Sequence, residues 1–426
     1  ALLLGMFAVT STSDTIASVM LGIPGTAASQ ATILDGYPMA RSGKPGRALG
    51  VGITASFVGG GISWLFLISL SAPIAKYSTK LGPFDFFSLV LLALVLIASI
   101  GGKSISRSFF SALLGVFASL PGIDKATGNL RLTFGMEELN GGLKLLPVLI
   151  GMFAISQIIL DLCRIGETIT VIPVKRKREM LFKVKDWKDQ ALNLIRSSVI
   201  GTWIGILPGI GANIGSVTAY SAAKSMATPE EKEQFGKGSE IGIVAAESAN
   251  NATIGGSLIP LISLGIPGSV IDAILLGGLL IHGLQPGPLL FQQNPEMVYT
   301  IMGSMIVANV FMFFFMVFAV RYLARLASVP RSLLMPVILV FCIVGSFALS
   351  TRMFDVWTML FFGLLGFAFE RIKIPLAPFV IGFILAPIAE ENLLMGLMAS
   401  NGSYLPIIQR PVSLIFVVSS IVLLAI

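Results

Sequence analysis

Residues 84–101 run Phe-Asp-Phe-Phe-Ser-Leu-Val-Leu-Leu-Ala-Leu-Val-Leu-Ile-Ala-Ser-Ile-Gly and contain one charged side chain, Asp85. As a helix, such a run spans most of the roughly 30 Å hydrocarbon core of a bilayer. No other open chain conformation satisfies its backbone there, because lipid offers neither donors nor acceptors. Comparable runs fall at 48–75, 143–161, 191–207, 297–320, 333–350, 353–370, 374–389 and 411–426. The spacing therefore predicts an all-α, polytopic transmembrane protein. Composition agrees: 55% of the 426 residues are hydrophobic and 12% are charged, against about 25% charged in soluble domains. That excludes a soluble enzyme of this size.

Four further segments, 1–21, 106–120, 241–264 and 270–285, are apolar but carry Ser, Thr, Asn and Gly or end at Pro-Gly. Broken or re-entrant helices have this composition, since irregular backbone at membrane depth survives only where protein or a wet cavity shields it.

The net charge of +7 is gathered in short clusters. Lys175, Arg176, Lys177, Arg178, Lys183, Lys185 and Lys188 lie between Val174 and Gln190, so this loop is expected on the cytoplasmic side. Arg321, Arg325 and Arg331 mark a second such loop, and Arg41, Lys44 and Arg47 a third. Topogenic loops account for the basic charge without nucleic acid. Cys163 and Cys342 lack the partner spacing of a zinc or iron–sulfur site and read as small buried hydrophobes. The chain starts at Ala1 with no charged n-region, so a signal peptide is not expected.

Gly22-Ile23-Pro24-Gly25 recurs as Gly265-Ile266-Pro267-Gly268. Pro45-Gly46 recurs as Pro286-Gly287, Pro83 aligns with Pro330, and Arg107-Ser108-Phe109 aligns with Arg352-Met353-Phe354. One order at nearly one offset predicts two repeated halves. The expected division is a first transmembrane repeat at 1–172, a basic cytoplasmic loop at 173–190 and a second repeat at 191–426. Paired halves around broken helices are the usual architecture of secondary transporters, and by analogy with them the repeats are expected to be inverted. Leu207-Pro208-Gly209-Ile210-Gly211 has no first-half partner after residue 1, so the first repeat is expected to lack its N-terminal part.

Four polar segments could carry chemistry: Thr10–Thr26, Leu207–Ser216, Glu247–Ser257 and Gly265–Ser269. Proline ends a helix and glycine supplies the tight turn. The next helix then starts with free N–H groups at the positive end of its dipole, which suit an anion such as a carboxylate. The expected substrate-binding residues are Ser13, Gly25, Thr26, Gly209, Asn213, Ser216, Asn250, Asn251, Thr253, Gly268 and Ser269. Acidic residues in apolar elements are costly and default to function. Asp14, Asp35 and Glu247 are the expected ion-coupling groups, with Asp272 a further acidic residue in or beside an apolar element. For Asp35, in Asp-Gly-Tyr-Pro, a turn is the competing reading. His282, the one histidine, reads as an interfacial side chain. No catalytic residue, metal centre or organic cofactor is expected: there is no Gly-x-Ser-x-Gly and no His-Glu-x-x-His. The competing readings of the whole chain are a channel or membrane scaffold and, less well supported, an intramembrane enzyme.

Gly22–Thr26, Ala31–Ala40 (Ala-Thr-Ile-Leu-Asp-Gly-Tyr-Pro-Met-Ala) and Gly43–Gly50 (Gly-Lys-Pro-Gly-Arg-Ala-Leu-Gly) resemble the signature of the TctA-type large membrane subunit of tripartite tricarboxylate transporters. Leu207–Gly211, Glu247–Ala252, Leu264–Gly268 and Gly283–Pro288 resemble its second-half motifs, so the resemblance covers essentially the whole chain. Two features depart from the family pattern: no first-half Leu-Pro-Gly motif is present, and Thr12-Ser13-Asp14 replaces a Gly-Gly-containing stretch. The resemblance implies a permease of the bacterial inner membrane, a secondary transporter working as a sodium or proton symporter. It implies a small TctB-type membrane subunit, a periplasmic TctC-type solute-binding protein, and di- or tricarboxylate cargo of which citrate is typical.

Overall fold

The computed structural model describes residues 2–23, 26–100, 104–124, 127–163, 182–207, 211–326, 329 and 331–425. In chain order the helices are α1 (Leu2–Leu21), α2 (Gln30–Arg41), α3 (Pro45–Ser78), α4 (Pro83–Ile100), α5 (Ile105–Ser119), α6 (Leu145–Leu149) and α7 (Ser156–Leu162). A π-helical stretch, Ile150–Ile155, joins the last two. Then come α8 (Val184–Ile206), α9 (Gly211–Met226), α10 (Pro229–Lys232), α11 (Glu240–Leu264), α12 (Val270–Ile281), α13 (Leu290–Gln293) and α14 (Pro295–Leu326). The chain closes with α15 (Arg331–Ser350), α16 (Met353–Arg371), α17 (Leu376–Ala399), α18 (Pro406–Gln409) and α19 (Pro411–Ala425). The strands among the described residues are Gly122–Ile123 and Leu130–Arg131, one antiparallel pair.

Six helical stretches among the described residues are long and apolar enough to cross a membrane: Leu2–Leu21, Pro45–Ser78, Leu145–Leu162, Pro295–Val320, Met353–Arg371 and Leu376–Ala399. This is a multi-pass membrane protein. The chain forms two compact units, one of residues 1–78 and 168–329, the other of 79–167 and 330–426.

In the first unit α11 is the central element. It packs along α3, α8 and α9, and almost its whole length is buried. Small residues permit this close approach, as they do wherever membrane helices must associate without a hydrophobic driving force between them. A methyl group at Gly59 would overlap the carbonyl of Ser248, one at Gly201 that of Ala249, and one at Gly205 that of Thr253. From the α11 side, Gly255 accommodates Ser63 and Gly256 accommodates Thr202. The Glu247–Ser257 segment, expected to break, is instead the middle of a continuous 25-residue helix. Its glycines form a packing seam and no proline interrupts it before Pro260. Segments 1–21 and 106–120 likewise carry the unbroken helices α1 and α5.

The interruptions lie where proline follows the helix end. α1 stops at Leu21 and α11 at Leu264, and the next residues, Gly22 and Gly265, have φ of 66° and 75°. At the second, Gly265 N–H bonds Leu261 O at 3.0 Å and Ile266 N–H bonds Pro260 O at 3.3 Å, closing the last turn with a left-handed glycine. α8 ends at Ile206 and α9 starts at Gly211, whose φ is 60°.

Arg47 ties three helix starts of this unit together. It forks onto Glu240 at 2.8 and 2.6 Å, and its remaining terminal nitrogen reaches Asp186 at 2.8 Å. The basic corner at the start of α3 therefore lies at the same end of the unit as the tail of the basic loop at 182–186.

In the second unit α5 and α4 pack on α17, α19 packs on α4, and α16 packs on the π-helical stretch. Arg107 donates to Ile372 O at 3.3 Å, which brings the starts of α5 and α17 to one end. At the other end the arginines are neutralised: Arg131 pairs with Glu390 (2.5 Å), Arg352 with Asp355 (2.8 Å) and Arg410 with Asp85 (2.5 Å).

Candidate functional site

The first unit gathers most of the expected site residues around α11. Ser11, Thr12, Thr15 and Ser18 of α1 fall at i, i+1, i+4 and i+7, a polar stripe along one helix face. Two of them meet α11 directly. Ser11 Oγ donates to Asn250 Oδ1 at 3.2 Å, and Asn250 Nδ2 returns a bond to Ser11 O at 3.3 Å. Thr12 Oγ1 donates to Asn251 Oδ1 at 3.0 Å, while Asn251 Nδ2 reaches Glu247 O at 3.3 Å. The two asparagines are thus buried staples between α1 and α11.

One turn earlier on α11, Glu247 is fully buried. Its carboxylate accepts Thr32 Oγ1 of α2 at 2.6 Å and Ser56 Oγ of α3 at 3.1 Å. A Cβ at Gly52 would overlap Thr15 Cγ2 at 2.6 Å, so α3 approaches α1 there without a side chain, beside Glu247. Glu247 accepts these bonds with no cation among the described groups that bond it. A buried carboxylate held by hydroxyls alone can exchange a proton or a small cation at low reorganisation cost.

Asp14 lies two turns before the end of α1 and is also buried. It accepts the hydroxyl of Thr26, just past the first break. Asp35 is differently placed. Its Oδ1 accepts the backbone N–H groups of Gly236 (2.8 Å), Gly238 (3.0 Å) and Ser239 (2.8 Å), and its Oδ2 accepts Tyr220 Oη at 2.9 Å. Four donors fix this carboxylate as an anchor for the turn that starts α11. Neither the turn reading nor the ion-coupling reading anticipates these bonds, because the donors lie about 200 residues away in sequence.

The interruptions converge on α9. The single turn Ala27–Ser29 after the first break packs against α9. A Cβ on Gly211, at the start of α9, would lie 3.8 Å from Ser269 Cβ, at the N-cap of α12. A Cβ on Gly215 would lie 2.7 Å from Thr253 Cγ2. Two helix N-termini, those of α9 and α12, therefore meet beside the middle of α11. Thr26 and Asn213 are exposed and Ser13 and Ser269 half-exposed, whereas Ser216, Thr253 and Gly268 are buried. Ser216 bonds Ala246 O, Thr253 bonds Asn250 O and Ser13 bonds Thr10 O. Gly25 and Gly209 lie outside the described residues. His282 is exposed at the end of α12 with Nδ1 2.8 Å from Gly278 O.

Among known proteins, the model of the tripartite tricarboxylate transporter TctA family matches residues 1–381. The chain belongs to this family. It is 30% identical over 396 residues, 93% of its length and 78% of the relative's, to an uncharacterised 52.8 kDa protein in the TAR-I ttuC′ 3′ region of Agrobacterium vitis. A second uncharacterised protein of that organism, in the TAR-II ttuC′ 3′ region, is 30% identical over 213 residues, half of this chain and 87% of the relative. No solved structure matches. Family membership makes the chain a component of a tricarboxylate transporter.

Proposed function

We propose that this chain is the large permease subunit of a tripartite secondary transporter in the bacterial inner membrane, importing di- and tricarboxylates such as citrate. The observation that carries the reading is the meeting of two helix N-termini, at Gly211 and Ser269, beside the stapled α1–α11 pair. Free N–H groups at helix starts favour an anion. The hydroxyl and amide groups of exposed Thr26 and Asn213 and half-exposed Ser269 supply further polar contacts without the desolvation cost of a buried cation.

Glu247 and Asp14 are the proposed coupling carboxylates for a sodium or proton gradient, which makes the protein a symporter. Asp35 serves the site indirectly by holding the start of α11. A small TctB-type membrane subunit and a periplasmic TctC-type solute-binding protein are the proposed partners, in keeping with the tripartite family.

The proposed repeat draws support from element order. α1, α2, α3, α4, α5 are followed in the second half by α11, α12, α14, α15, α16, with a 12-residue helix in second place and helices of 34 and 32 residues in third. Inversion draws support from placement: Arg107, at the start of α5, bonds Ile372 O just past the end of α16, whereas its aligned residue Arg352 stands at the start of α16.

The test is uptake of [14C]citrate by cells expressing all three subunits. Gradient-dependent accumulation by the wild type, lost in a Thr26→Ala/Ser269→Ala variant that inserts normally, supports the reading. Equal accumulation by that variant tells against it.

A further inference from the structure

The two Gly-Ile-Pro-Gly breaks are bridged in the same way. Asp14, Thr26 and Ser29 surround the first. Asp14 is seven residues before the end of α1 and accepts the Thr26 hydroxyl. Ser29 Oγ donates to Thr26 O at 2.9 Å and accepts Thr26 N–H at 3.4 Å. At the second break stand Ser257, Ser269 and Asp272. Ser257 is seven residues before the end of α11 and donates to Asp272 Oδ1 at 3.1 Å. Ser269 Oγ donates to Asp272 Oδ2 at 2.7 Å and accepts Asp272 N–H at 3.2 Å.

Asp14 and Ser257, Thr26 and Ser269, Ser29 and Asp272 are each separated by 243 positions. The two trios are the same three positions of the repeat. Each contains one carboxylate and two hydroxyl residues, and each links the helix before the break to the residue that opens the chain after it. Only the carboxylate has changed place: before the break in the first half, after it in the second. Asp272 is fully buried with both oxygens engaged, so its loss would deprive two hydroxyls of an acceptor. Its bonds fix where the first turn of α12 points relative to α11, and that turn carries the N–H groups offered to cargo.

We propose that Asp272 is a positioning residue for transport, bridging the α11–α12 break as Asp14 bridges the first, and that the carboxylate works from either place in the trio. The proposal rests on the repeat and on the transport reading above. Moving the carboxylate in the second half to the place it has in the first gives Asp272→Ser/Ser257→Asp, a variant with the same composition of polar groups.

The full chain is reconstituted in nanodiscs, and backbone hydrogen exchange of residues 265–273 is followed together with [14C]citrate uptake in cells. Asp272→Ser should speed exchange of that segment by about tenfold or more, since two bonds to a buried carboxylate are lost, and should raise the apparent KM for citrate. The double variant should bring both back toward wild type while the segment 26–29 stays unchanged. If the single variant fails to insert, Asp272→Asn, which keeps size and loses the charge, serves in its place. A double variant that exchanges as fast as the single one overturns the proposal, as does restored exchange with KM still raised. Should the wild type carry no tested carboxylate, the transport reading fails while the exchange data still decide the bridge.

Discussion

Thr32 of α2 donates its hydroxyl to Oε1 of Glu247 on α11 over 2.6 Å. The bond joins a helix that follows the first break to the buried centre of the unit, and with Ser56 it gives Glu247 a shell of hydroxyls. Its counterpart position in the first half is Leu4, so this carboxylate belongs to one half alone.

Glu247→Gln keeps shape and removes charge. If Glu247 couples transport to a gradient, accumulation of citrate should fall about tenfold or more, as for loss of a group used in the transported state, while citrate–citrate exchange across the membrane persists. The check is to measure accumulation and counterflow on the same vesicles. Equal loss of both contradicts a coupling role.

The four hydrogen bonds that Asp35 accepts support an anchoring role for it. Asp35→Asn turns one acceptor into a donor facing Tyr220 or the backbone of 236–239, and should cost about 2–3 kcal/mol of stability. Tyr220→Phe removes one bond and should cost about 1 kcal/mol. Thermal unfolding of the purified protein in detergent reads both; gradient dependence of residual uptake should be unchanged in Tyr220→Phe.

The α11 seam has no room for side chains. Gly59→Val or Gly201→Val forces the helices apart and should cost about 1–3 kcal/mol or more through overpacking. Size-exclusion profiles after extraction should show aggregated protein, whereas Gly61→Val, where a Cβ meets nothing within 4 Å, should remain monodisperse.

Arg47 sets a pH dependence at the basic end of the first unit. Its hydrogen bond holds the Asp186 carboxyl, which precedes the apolar run of α8, below the usual carboxylate range. A group with a lowered folded-state pKa adds stability above its unfolded value, about 3.9 for Asp, and loses it as pH falls through the folded value. Wild-type melting temperature should therefore drop below about pH 4, and Arg47→Met, which lacks the ion pair at all pH values, should lose less over that range.

Much of this fold is legible in sequence because the bilayer restricts the options. The runs at 48–75, 84–101 and 297–320 can only be helices, and Gly22 and Gly265 end helices where a following Ile-Pro-Gly forbids continuation. Polarity was the misleading signal. Glu247–Ser257 reads as a break because it is rich in Asn, Ser and Gly, yet those residues serve a continuous helix packed on every side. The partners of Asn250, Asn251 and Asp35 were illegible, since Ser11, Thr12, Tyr220 and Gly236 lie about 185–240 residues away and no local rule pairs them. The stripe Ser11, Thr12, Thr15, Ser18 was the available clue: its spacing puts four polar groups on one face of α1, and two of them meet α11.

The central claim is that anionic cargo binds where interrupted helices meet the α1–α11 pair. The most direct measurement is initial-rate [14C]citrate uptake by an Asn250→Ala/Asn251→Ala variant whose membrane insertion matches wild type. With both staples to Ser11 and Thr12 removed, uptake should fall about tenfold or more. Wild-type uptake by that variant would contradict the placement of the site.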